Sequence, residues 1–148
     1  MTILALDKKL IAFFRQAFLP LARMALFVIF FWFGGLKLLG LSPASPLATA
    51  LTSNTVGMNY FDILFTILAL IECAIGMLFL FPKMTRVVVP LLLIHMLVVS
   101  APIIFVPNLV WQNWFVPTLE GQYILKNLVV VALAIGVAAQ IKPLNKVS

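Results

Sequence analysis

Four long apolar runs constrain this chain more than any other feature: Leu21–Leu39, Tyr60–Phe81, Val87–Val106 and Tyr123–Ile141. A helix needs about 20 mainly apolar residues to cross the hydrocarbon of a bilayer, and each run meets that length. At 148 residues the chain has the length of one domain, yet 64% of it is hydrophobic and only 9% charged. Surface-to-volume scaling prevents a soluble fold of this size from hiding so much apolar surface. The expected fold is therefore all-α and integral to the membrane: a four-helix bundle whose principal partner is lipid.

The basic residues give the orientation. Lys8, Lys9, Arg15 and Arg23 precede or open the first run, Lys83 and Arg86 fill the PKMTR turn between the second and third, and Lys142 and Lys146 follow the fourth. The other two connections, SPASPLATALTSNTVGMN and PNLVWQNWFVPTLEGQ, contain no Lys or Arg. Cytoplasmic loops carry the excess of cations, so both termini and the short turn are expected in the cytoplasm. The net charge of +6 serves this purpose. It forms no dense basic cluster or aromatic-interleaved patch of the kind that binds nucleic acid.

Residues 1–18 read as a separate element. Ile3, Leu6, Leu10, Phe14, Ala17 and Phe18 recur at helical spacing, with Lys8, Lys9 and Arg15 mostly on other faces. That pattern suits an amphipathic helix in the cytoplasmic interface, separated from the first span by Pro20. A cleaved signal peptide is the competing reading, but the apolar stretch is too long and too far from the start. At the opposite face, Trp111 and Trp114 lie in the second outer loop, where indoles anchor to the headgroup level.

Within the spans, ionisable residues are few and their depth is informative. At 1.5 Å per residue, Glu72 and His95 both fall about 12 Å from the cytoplasmic side, on helices that the short turn makes antiparallel neighbours. An isolated charge at that depth costs several kcal/mol, so Glu72 is expected to be paired, protonated or wetted. A Glu72–His95 pair can pass protons, bind a quinone or other polar headgroup, or simply clasp two helices. Cys73, beside Glu72, points about 100° further round the helix and reads as a packing residue. A single cysteine excludes an internal disulfide, and a single histidine supplies at most one axial haem ligand; no metal site is nominated. Lys37, Asp62, Glu120 and Lys126 all fall within about 8 Å of the outer boundary. They suggest a charge network tying three helices, or an anion site using Lys37 and Lys126.

The segments GGLKLLG (34–40), ECAIGMLFL (72–80) and EGQYILKNL (120–128), in this order on these spans, resemble the DoxX-like superfamily of small four-span membrane proteins. The third motif looks especially like the YkgB-like, reactive-chlorine-resistance branch. The positions that match the family pattern are Lys37, Glu72, Gly76 and Lys126. The resemblance implies a bacterial inner-membrane protein associated with redox chemistry or oxidative stress, with a quinone-like ligand as candidate cofactor. The cysteine pairs of dithiol-active relatives are missing, as is any flavin, haem or iron–sulfur motif, so electrons would come from a partner protein. Two alternatives stand beside this reading: a small proton-coupled transporter, and a non-catalytic assembly or cargo-binding factor. Ala132 and Gly136 form a small-xxx-small pair that can support a homodimer or packing within one chain.

Overall fold

A computed structural model describes residues 3–143, so Lys146 lies outside the described residues. Four helices are long and apolar enough to cross a membrane. The order is α1 (Ile3–Leu38), α2 (Ser45–Thr55), α3 (Phe61–Phe79), α4 (Thr85–Ser100), α5 (Pro102–Phe105) and α6 (Pro107–Val110). A two-stranded hairpin, β1 (Trp111–Asn113) and β2 (Val116–Pro117), then leads into α7 (Leu119–Ala138).

The expected break at Pro20 is absent, because α1 runs unbroken through it for 36 residues. Proline removes a single i→i−4 bond from a helix interior, and flanking apolar side chains with good propensity carry the helix across the gap. At 1.5 Å per residue α1 is about 54 Å long, well over the roughly 30 Å of a hydrocarbon core. Its first half, from Ile3 to Leu21, is mostly exposed, whereas Ala22, Arg23, Leu26, Phe30 and Gly34 are buried.

The bundle is organised around one close helix pair. Gly34 on α1 lies so near α3 that a Cβ there would come within 2.7 Å of Cys73 Sγ and 2.8 Å of the Ala69 carbonyl oxygen. Gly76 on α3 returns the contact, with Phe31 N 2.7 Å from where its Cβ would be. Small residues on both sides let the two backbones touch, which suits helix association in lipid, where dispersion replaces the hydrophobic drive. Cys73 Sγ sits against the Phe31 carbonyl in this seam, as a packing residue would.

The same contacts set the vertical register. Gly34 stands opposite Ala69–Cys73, so α1 ends at Leu38 about 10 Å short of the level at which α3 begins. Gly40, at φ +69°, ends α1 by letting Leu41 N–H reach back to the Leu36 carbonyl. This left-handed residue after a helix is the position glycine fills at least steric cost. The connection from α1 to α3 then forms α2, which packs on α3 and α5. The core beneath joins Leu26 and Phe30 of α1, Ile75 and Phe79 of α3, Val88 and Leu92 of α4, and Ala134 and Val137 of α7.

Candidate functional site

Three helices deliver one ionisable side chain each to a common buried point. Glu72 faces inward because it shares a helix face with Ala69, Ile75, Gly76 and Phe79, all buried against neighbouring helices. Its Oε2 accepts a hydrogen bond from Lys37 Nζ at 2.5 Å, and its Oε1 lies 3.3 Å from His95 Nε2. All three side chains are nearly sealed: Lys37 is 8% exposed, Glu72 7% and His95 3%.

The two contacts to Glu72 differ in kind. The Lys37 contact is a charge-assisted hydrogen bond. The His95 contact has ion-pair distance without hydrogen-bond alignment, so Nε2 is buried and lacks a bonded partner. With its proton on Nε2, His95 presents a donor toward Glu72 that the present alignment leaves unused. The edge of the Phe30 ring packs against the imidazole, with centroids 5.8 Å apart, and limits its rotation. An oxygen to one side of the Nε2–Oε1 line, within reach of both atoms, could accept from the imidazole and, if it carries a proton, donate to the carboxylate. A hydroxyl, a quinol or a water has that chemistry.

The four-residue outer network is not formed. Among the described residues the ion pairs are Lys37–Glu72 and His95–Glu72, and both centre on Glu72. The reason is the register: α1 stops short, so Lys37 begins about 10 Å from the level of the N-terminal start of α3. Its side chain tilts toward the N-terminal end of α1, which is downward, and so reaches Glu72. Asp62 in the first turn of α3, Glu120 in the first turn of α7 and Lys126 are exposed. Lys126 instead holds its ammonium 5.1 Å from the centroid of the Tyr123 ring. An anion site shared by Lys37 and Lys126 is therefore not assembled, since one is sealed inside the bundle and the other faces outward.

The β1–β2 hairpin separates the two loop tryptophans. Trp111 pairs with Pro117 at its base and is half-buried. Trp114 and Phe115 form the tip, 91% and 88% exposed, with Phe115 at φ +56°. The base is held by Thr118, whose hydroxyl donates to the Leu109 carbonyl and accepts from Gly121 N–H to cap α7. Gly121 belongs here because a Cβ would collide with the Val110 carbonyl oxygen. On the fourth span, Gly136 is already covered within the chain by the Phe18 ring, which accounts for that half of the small-xxx-small pair without a dimer.

Sequence reasoning missed one buried cation. Arg23 was read only as a charge that fixes orientation, yet its guanidinium donates to the Phe79 carbonyl at 3.1 Å and to Thr85 Oγ1 at 2.6 Å. It thereby ties α1 to the turn joining α3 and α4. The available signal was spacing: Arg23, Leu26, Phe30, Gly34 and Lys37 fall on a single helix face. Both cations of the first span therefore point inward with its core residues. No family model, curated protein or solved structure matches this chain.

Proposed function

We propose that this chain is a DoxX-like membrane subunit, associated with redox or oxidative-stress chemistry, that holds the polar head of a quinone-like ligand at Lys37, Glu72 and His95. The observation that carries this reading is the unpartnered His95 Nε2 beside Glu72 Oε1. A buried N–H without an acceptor costs about 1–3 kcal/mol, and a ligand oxygen accepting from it recovers that cost. Lys37 holds the Glu72 carboxyl group in place through Oε2, which leaves Oε1 facing the ligand's oxygen beside His95. Electrons reach the ligand from a partner protein in this reading. The chain sits in a bacterial inner membrane with both termini cytoplasmic, and the N-terminal part of α1 turns its cations toward the anionic lipid of the cytoplasmic interface. Trp111 and Trp114 hold the outer loop at the opposite headgroup level.

The test is titration of the purified protein with a short-chain quinone, following quenching of tryptophan fluorescence. Glu72→Gln and His95→Ala should each weaken binding by about ten-fold or more, the equivalent of a hydrogen bond to a charged group. If both variants bind as the wild type does, the site is not there. The second reading, proton-coupled transport, draws on the placement of Glu72 between a cation and an imidazole. Proton flux into proteoliposomes that disappears in Glu72→Gln, with no quinone binding in the wild type, would favour it.

A further inference from the structure

Arg23 presents a different problem from Glu72. It is 9% exposed, yet neither ion pair among the described residues involves it. Its two bonded partners, the Phe79 carbonyl and the Thr85 hydroxyl, are neutral. Its Nε is buried with no hydrogen-bond partner. A guanidinium withdrawn from water is costly unless its charge is paired and its donors are satisfied. The chain has only four acidic residues, Asp7, Asp62, Glu72 and Glu120, and none of them bonds to Arg23.

What surrounds Arg23 is more positive charge. The turn it grips, Pro82–Thr85, carries the exposed side chain of Lys83 and is followed by the exposed Arg86. Arg86 in turn donates to the Lys142 carbonyl at 2.6 Å, drawing the chain after α7 over the same end of the bundle. The Thr85 hydroxyl, while accepting from Arg23, donates to the Pro82 carbonyl, so the Arg23 bond helps fix the turn that carries both exposed cations. A fixed turn with two exposed cations that form no ion pair among the described residues, over a buried guanidinium with an unused donor, is the arrangement a phosphate monoanion would complete. At a membrane boundary the abundant source of that group is a lipid headgroup.

We propose that Arg23, Lys83 and Arg86 form a binding site for the phosphate of an anionic phospholipid, seated at the end of the bundle where α3 turns into α4. The headgroup supplies the counter-charge that the protein withholds from Arg23, and Lys83 and Arg86 select anionic over zwitterionic lipid. The site is separate from Glu72, on the far side of the Phe79 layer, and does not depend on what binds there.

The test uses full-length protein released from detergent into a native mass spectrometer with equimolar phosphatidylglycerol and phosphatidylcholine of matched chains. Wild-type protein should retain phosphatidylglycerol preferentially. Lys83→Gln and Arg86→Gln, both at exposed positions that leave the fold alone, should each reduce that preference about five-fold. Arg23→Lys, which keeps the charge but removes Nε, should also reduce it. Lys8→Gln with Lys9→Gln, on the projecting part of α1, should leave it unchanged. Equal retention of both lipids overturns the proposal, as does a loss in the Lys8/Lys9 variant as large as that at Lys83 and Arg86. Displacement of the lipid by low-millimolar inorganic phosphate would assign the site to a free anion and overturn the lipid reading.

Discussion

Replacing Lys37 with methionine should be among the most damaging single changes to this protein. Methionine matches the length of the lysine stem, so the change removes a charge with little loss of packing. At 2.5 Å and an effective dielectric of 20, the Lys37–Glu72 attraction is about 6–7 kcal/mol before desolvation is counted. Most of that attraction offsets the cost of burying two groups that are 8% and 7% exposed. Removing one partner strands the other, and for buried pairs this costs about 3–5 kcal/mol. His95 Nε2, 3.3 Å away and out of line, cannot replace the missing cation without moving. The double variant Lys37→Met/Glu72→Gln strands no charge, and should recover at least about half of the loss. Reversible unfolding in mixed dodecylmaltoside–dodecyl sulfate micelles, followed by circular dichroism, measures all three variants on one scale. If Lys37→Met lies within about 1 kcal/mol of wild type and the double variant is simply additive, Glu72 and Lys37 are not a buried charged pair.

The other expectations concern how the bundle is held. Gly76→Ala places a methyl against the Phe31 backbone nitrogen and should cost about 1–3 kcal/mol in the same unfolding assay. Thr85→Val removes the acceptor of Arg23 Nη2 and should cost about 1–3 kcal/mol, with no effect on quinone titration. Phe79→Ala, at a fully buried position, should cost about 3–5 kcal/mol, whereas Trp114→Ala at the hairpin tip should stay within about 0.5 kcal/mol.

The legible parts of this molecule were those set by length and by local pattern. The four spans, the short α3–α4 turn, and the meeting of Glu72 with His95 all follow from counting residues along helices that lie side by side. Counting failed where it assumed that every helix ends at the same level. The offset of α1 against α3 is fixed by the interlocking of Gly34 and Gly76, which is a tertiary contact, and it carries Lys37 from the outer boundary to Glu72. Arg23 was legible in part: its spacing from Leu26 and Phe30 placed it on the inward face, but the positive-inside pattern explained it too readily as a topological charge. Pro20 was misread because proline weakens a helix locally, while the residues on both sides decide whether the helix continues. The helical form of α2 carried only a weak signal, since its Ser, Thr and Ala residues suit a helix or an irregular loop almost equally.

The most direct test of the Glu72-centred site uses the presence of only one histidine. Protein labelled with 15N-histidine and 13C-glutamate in lipid bilayers gives one imidazole signal set and, from Glu72 and Glu120, two carboxyl carbons. Magic-angle-spinning NMR should show a through-space correlation from His95 Nε2 to one carboxyl carbon, absent in Glu72→Gln and shifted when a short-chain quinone is added. A spectrum with no such correlation, or one that survives Glu72→Gln unchanged, would contradict the assembly of Lys37, Glu72 and His95.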